Sequence, residues 1–198
     1  MGSVSFASGA QTWDPRAGFP TSVTWGFVVS GYHRRAMTDE LTIQPIPDGL
    51  RAAGTTNVPF EPVLALADLP AGSLHRVTRG DLDILLAHTR LGLVATDDRC
   101  PHMSAPLSQG RLEDCVVDCP LHSGRFDLAS GDVVRFPSTG GLDAEGTYHS
   151  TWQTPGSPPK PEPTDAKAMA RAATRVRRLR YYPLRVRDGV IEIGLPRP

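Results

Sequence analysis

From residue 58 onward the chain alternates short apolar runs with turn residues. Pro62-Val63-Leu64-Ala65-Leu66 is apolar and is stopped by Asp68-Leu69-Pro70-Ala71-Gly72. Asp83-Ile84-Leu85-Leu86-Ala87-His88 and Leu91-Gly92-Leu93-Val94-Ala95 flank Thr89-Arg90 and predict a hairpin. Cys115-Val116-Val117-Asp118 predicts another short strand. Phe126-Asp127-Leu128 and Val133-Val134-Arg135-Phe136, separated by a turn at Gly131, predict a second hairpin. Tyr182-Pro183-Leu184-Arg185-Val186 and Val190-Ile191-Glu192-Ile193 surround Asp188-Gly189, a strong hairpin signal. Strands this short, with turns this frequent, predict an all-β fold built as a small antiparallel sandwich or barrel.

Two segments break the pattern. Residues 1–57 are rich in Gly, Ser, Thr and Pro and sustain no period of 2 or 3.6. They are expected to form a disordered extension, with the folded domain at 58–198. Met37-Thr38-Asp39-Glu40 reads as an ordinary protein start. Either Met37 is the natural first residue or residues 1–36 are a genuine extension. Residues 137–163 are loop-like, with prolines at 155, 158, 159, 161 and 163. Asp165 to Leu179 is then expected to be helical, capped by Thr164 or Asp165. Met169, Ala172, Val176 and Leu179 would share one face, and Lys167, Arg171, Arg175 and Arg178 the other. A Pro-rich loop and one helix are therefore inserted at about 141–179.

Composition narrows the function classes. Glycine (19) and proline (19) make nearly a fifth of the 198 residues, against roughly 12% in an average chain, which excludes a helical bundle. Basic and acidic residues balance at 21 each, so a nucleic-acid-coating role is not expected. No apolar run approaches the roughly 18–20 residues of a membrane helix; the best, Val23 to Tyr32, contains two glycines. The first twenty residues lack the basic and apolar regions of a secretory signal, and Arg34-Arg35 leads into polar sequence. Three cysteines cannot build a disulfide scaffold; reduced or metal-bound thiols in a cytoplasmic protein fit better. The charge is nonetheless uneven. Residues 160–187 carry nine basic side chains against Glu162 and Asp165, which reads as a solvated face or as a docking patch for an acidic electron-transfer partner.

The chemistry is concentrated at Cys100-Pro101-His102 and Cys119-Pro120-Leu121-His122. Two thiolates and two imidazoles are donors that iron–sulfur or zinc centres use. The pairs lie in two loops beside predicted hairpins, which lets two loop tips converge. Zinc sites usually keep like ligands together, as C-x₂₋₄-C and H-x₃₋₅-H, whereas each pair here mixes Cys with His. Cys115 is expected to be a small buried residue, and His33, His75, His88 and His149 show no pairing pattern. Met103, Pro106 and Leu107 are expected to form an apolar cover or a partner contact.

The stretches Asp98-Arg99-Cys100-Pro101-His102-Met103-Ser104-Ala105-Pro106-Leu107 and Cys119-Pro120-Leu121-His122-Ser123-Gly124-Arg125-Phe126-Asp127 resemble the two cluster-binding loops of Rieske [2Fe–2S] proteins. Leu66 to Gly72, Gly110-Arg111-Leu112-Glu113 and the closing hairpin at 182–193 are similar to Rieske-type ferredoxins. The resemblance spans roughly 60–140 and 181–195. One departure is Ser123, where the family usually has Gly.

The resemblance implies a Rieske-like antiparallel sandwich or barrel with two cluster-binding loops. It implies one [2Fe–2S] cluster per chain. Cys100 and Cys119 would bind one iron, and His102 and His122 the other. It further implies one-electron transfer by a ferredoxin component, neither a stand-alone catalyst nor a membrane protein, with a flavin reductase upstream and a non-haem iron oxygenase downstream. High-potential members have disulfide cysteines at positions matching Ala105 and Leu121, and hydroxyl donors at those matching Gly124 and Phe126. Their absence implies a centre near the bottom of the roughly −150 to +300 mV range. No G-x-G-x-x-G nucleotide motif is present, so the chain is not its own reductase by that route. Two other classes stay open at this level: the small Rieske subunit of an assimilatory nitrite reductase, and a zinc-stabilised binding module.

Overall fold

Ile84-Leu85-Leu86-Ala87 is apolar on both sides because the strand that carries it is buried on both sides. Leu85 and Ala87 enter one core cluster with Val94, Val117, Phe126, Leu128 and Tyr181. Ile84 and Leu86 enter a second with Val77, Leu93, Tyr182, Ile191 and Ile193. Alternate side chains of a strand point to opposite faces, so this one strand serves both cores.

A computed structural model describes residues 41–153, 156–158 and 164–196. The expectations for residues 1–40, including Met37 and His33, and for most of the 155–163 proline run lie outside the described residues. Twelve strands, one α-helix and two short 3₁₀ turns (Leu66–Asp68 and Leu107–Gln109) make up the described part: β1 Phe60–Ala65, β2 Leu74–Arg79, β3 Leu82–Thr89, β4 Gly92–Asp97, β5 Arg111–Glu113, β6 Val116–Asp118, β7 Arg125–Asp127, β8 Val133–Arg135, β9 Gly141–Leu142, β10 Tyr148–His149, α1 Ala166–Ala172, β11 Leu184–Arg187 and β12 Val190–Gly194. The sheets run β1-β12-β11, β2-β3-β4 and β5-β6-β7-β8, with β9 and β10 as a separate pair. All strand pairings are antiparallel, as the all-β reading expects. The three expected hairpins are β3-β4, β7-β8 and β11-β12. At the last, Asp188 and Gly189 both take positive φ (48° and 75°), which is why Asp-Gly suits that turn.

Residues 41–57 differ from the expectation of a disordered extension. Ile43 pairs with Leu93 and Arg51 with Tyr181 as isolated parallel bridges. The Ala52 N–H donates to the Tyr181 carbonyl at 2.7 Å, and Ala52 and Thr55 are buried. The segment has no internal period because its buried residues answer unrelated partners: Gln44 bonds Thr89 and Leu93, Ala52 bonds Tyr181, and Thr55 donates to the nearby Ala52 carbonyl.

The helix is also shorter than its spacing suggests. Asp165 caps it as expected, its carboxylate accepting from the Ala168 N–H at 2.7 Å. It ends at Ala172 rather than Leu179. Beyond it the backbone pairs with β9: the Leu142 N–H donates to Thr174 O and the Val176 N–H to Leu142 O. Thr174 and Val176 are β-branched and suit extended backbone. Val176 and Leu179 are buried, but Met169 is exposed. Of the loop-like 137–163 stretch, residues 141–149 form the β9-β10 pair.

Candidate metal centre

The first site loop joins β4 to β5 and the second joins β6 to β7. Both have the pattern Cys-Pro-x-x-Ser-x and both close identically. The Cys100 N–H donates to Ala105 O at 2.8 Å, and the Cys119 N–H to Gly124 O at 2.8 Å. The Ser104 N–H donates to Cys100 O, and the Ser123 N–H to Cys119 O. Ser104 (φ 58°) and Ser123 (φ 53°) hold the left-handed corner of each loop. The two middle positions are filled in opposite order, His102-Met103 in one loop and Leu121-His122 in the other. Each loop thus offers one imidazole and one exposed apolar tip, Met103 or Leu121.

Folding brings the four sequence-selected residues together as two like pairs. The Cys100 and Cys119 thiols are hydrogen-bonded to each other. The His102 and His122 rings meet edge to face, with centroids 5.0 Å apart. Cys100, Cys119 and His102 are buried, and His122 is half-buried. The Cys100 S–H, donating to Cys119, holds the Cys119 thiol down to about 6, and the Leu121 and His122 N–H groups act in the same sense against burial. Cys100 is pushed upward, first by that pairing and then by burial, against the N–H groups of His102 and Met103. Each sulfur therefore faces the backbone N–H groups two and three residues further on. Burial, then the neighbouring His122, lowers His102 to about 4, so its ring is neutral near pH 7 and able to donate a lone pair.

Three supports escaped the sequence reading. Asp98, fully buried, braces the first loop: its carboxylate accepts from the Ser108 N–H (2.6 Å) and Oγ (2.9 Å), with Arg76 at 3.4 Å. The second loop is held by Arg125 against Asp118 at 2.6 Å and by Arg135 donating to Ser123 O. A third segment, Pro137-Ser138-Thr139, covers both loops. The Ser138 N–H donates to His122 O at 2.8 Å, and Thr139 Oγ1 lies 3.4 Å from His102 Nε2. No local pattern marks Asp98 or Thr139, since the partners of each come from other parts of the chain.

Other expectations divide. Cys115 is buried as a small residue at the β5-β6 turn. Leu107 is fully buried and belongs to the core, whereas Met103 is exposed, so the expected apolar cover is split between inside and outside. His149 is paired after all: it stacks on Phe136 at 3.6 Å and bonds Asp143 at 3.0 Å.

This donor set suits a two-iron centre. Two thiols with N–H donors already aimed at them, beside two imidazoles, match the mixed ligation of a Rieske centre.

The Rieske [2Fe–2S] domain profile matches residues 60–146. The ferredoxin component of the naphthalene 1,2-dioxygenase system of Pseudomonas putida is 38% identical over 76 residues, which are 38% of this chain and 73% of that protein. The chain belongs to the Rieske [2Fe–2S] family. Its cofactor is therefore a [2Fe–2S] cluster and its chemistry one-electron transfer. The Rieske relatives include the 3-phenylpropionate/cinnamic acid dioxygenase ferredoxin subunit of Photorhabdus laumondii, 40% identical over 78 residues, covering 39% of this chain and 73% of that one. The solved ferredoxin of Sphingomonas yanoikuyae B1 aligns at TM-score 0.47 and 19% identity, over 70% of this Rieske chain and all of its own. No described helix is long and apolar enough to cross a membrane.

Proposed function

We propose that this protein is a cytoplasmic ferredoxin component that passes single electrons from a flavin-containing reductase to a non-haem iron oxygenase. The cluster would be held by Cys100 and Cys119 on one iron and by His102 and His122 on the other. The observation that carries this reading is the pairing of like donors by two loops with the same closing hydrogen bonds. A [2Fe–2S] cluster so held supplies a centre that takes up and gives back one electron at a time.

The chain's own residues define the conditions of that exchange. Burial of both cysteines and His102 keeps water from the sulfur side. Backbone N–H groups of residues 102, 103, 121 and 122 stabilise negative charge on the cysteine sulfurs, which favours the reduced state. His102 Nε2 is taken up by Thr139, which leaves Nδ1 as the ring nitrogen open to a metal. His122, half-buried, is the one of the four donors nearest to solvent contact. Phe126, lying in the same core cluster as both cysteines, brings no hydroxyl, so the potential sits low in the Rieske range.

The test is visible absorption and low-temperature EPR of the full chain, purified without oxygen, before and after dithionite. A red-brown protein with an anisotropic reduced-state signal, lost in Cys119→Ala, is the expected result. A colourless protein after reconstitution with iron and sulfide overturns the reading.

A further inference from the structure

The uneven charge of the chain meets the site at one place. Val176 and Leu179 point inward into the core cluster that contains Cys100 and Cys119. The residues between and beside them, Arg175, Arg177 and Arg178, are therefore forced outward and are exposed. The Arg177 N–H donates to the Pro101 carbonyl at 3.4 Å, so this cationic stretch touches the loop that carries Cys100 and His102.

Several arginines here are already committed. Arg178 is held by Asp132 and Ser130 O, Arg180 by Asp97, Arg185 by Glu192 and Arg187 by Asp188. Their charges are largely spent within the fold. Lys167, Arg171, Arg175 and Arg177 are different. Among the described residues none of the four reaches a carboxylate, and Arg175 donates only to the Ala144 carbonyl. The acid on their helix, Asp165, is used as its cap. Exposed Met169 lies among these cations, and exposed Met103 lies on the adjoining loop. Arginine and methionine are enriched at protein interfaces.

We infer that the surface bearing Lys167, Arg171, Arg175 and Arg177 docks an acidic face of a redox partner protein and brings it to the Cys100–His102 loop. The inference rests on the electron-carrier reading above. Because the whole chain is neutral, steering cannot come from net charge and falls to local patches such as this one. Such patches raise encounter rates and lose effect as salt screens them.

The experiment uses inorganic ions of opposite sign on the full chain. Redox-inert hexacyanochromate(III), added during NMR, is expected to broaden amide signals of residues 167–177. Oxidation of the reduced protein is then followed by stopped flow. One electron passes to hexacyanoferrate(III), giving hexacyanoferrate(II), or to hexaammineruthenium(III), giving the ruthenium(II) ion. The anion's rate should fall at least threefold as ionic strength rises from about 0.01 to 0.15 M, where the screening length shrinks from roughly 30 to 8 Å, and the cation's rate should not fall. The quadruple Ala variant at 167, 171, 175 and 177 should lose both the broadening and the anion's salt slope, while Arg185→Ala/Arg187→Ala keeps them. If the quadruple variant does not fold, Lys167→Glu/Arg171→Glu on the exposed helix gives the same reading. Broadening elsewhere, or equal salt slopes for both oxidants, overturns the docking surface. Broadening at 167–177 without an effect of the variants on the anion's rate also overturns it. A protein without the cluster spectrum instead overturns the electron-carrier reading, and the NMR map remains readable in that case.

Discussion

Ser104 and Ser123 occupy the same corner of two loops closed by the same hydrogen bonds, each with positive φ and each donating its N–H to the cysteine carbonyl that opens its loop. A side chain in the left-handed region costs roughly 1–2 kcal/mol relative to an unstrained residue, a penalty glycine escapes. Ser123→Gly is therefore expected to stabilise the protein by up to about 1 kcal/mol, because glycine's greater freedom in the unfolded chain takes back part of the gain. Ser123→Val should destabilise it. Thermal unfolding followed by the visible cluster band checks both.

Phe126 is fully buried beside the cysteines. A hydroxyl placed there by Phe126→Tyr is expected to donate to the sulfur side and favour the reduced state. A tenfold gain in the reduction constant corresponds to about 59 mV, and redox titration should show a rise of that order. Gly124→Ser is a poorer route. A Cβ at Gly124 would sit 3.3 Å from both the Phe126 ring and Pro137, so a stability loss of about 1 kcal/mol or more should accompany any rise.

Thr139 bears on the potential from the histidine side. With Nδ1 directed to the metal, His102 Nε2–H donates to Thr139 Oγ1, which makes the ring a better electron donor and favours the oxidised state. Thr139→Val is expected to raise the midpoint by about 30 mV, a threefold change in equilibrium constant, while Thr139→Ser leaves it in place. Equal midpoints for all three proteins would mean that the 3.4 Å contact has no electronic role.

Asp98 supports the first loop through three polar partners while itself fully buried. Asp98→Ala leaves the Ser108 N–H and hydroxyl without their acceptor, at a cost of about 2–3 kcal/mol. Denaturant unfolding should show that loss, and cluster release should precede global unfolding in the variant.

The β9-β10 pair carries a pH dependence of known sign. The Asp143 carboxyl lies below the usual range, first because of its bond to His149 and then because of the Thr147 and Glu145 N–H groups. A depressed folded value means the stabilising contribution is complete above the ordinary carboxyl value of about 3.9. It fades as pH falls through the lower folded value. Amide protection at Thr147 should therefore be higher in the native protein than in Asp143→Asn near pH 6. The two should converge in stronger acid.

How much of this was legible in the sequence depends on the range of the interactions. The strand hairpins, the Asp165 cap and the Asp188-Gly189 turn rest on neighbours within a few residues, so periodicity and turn chemistry revealed them. The Cys-x-His and Cys-x-x-His spacing marked where the chemistry lies, because each loop carries its own donors. The end of the helix is not legible, since apolar spacing at 169, 172, 176 and 179 cannot reveal that β9 takes the backbone of 174–176. The order of 41–57 is not legible either, because its anchors at Leu93 and Tyr181 are distant in the chain.

The sequence by itself thus determined the strands, the turns and the donor types, all of which are local consequences of side-chain chemistry and backbone preference. Tertiary structure alone decided the pairing of thiol with thiol and ring with ring. It also decided the burial of Asp98, the approach of Thr139 to His102 and the placing of uncommitted cations along the Cys100 loop. Each of those joins residues far apart in the chain, and such proximity exists only once the two cores have packed.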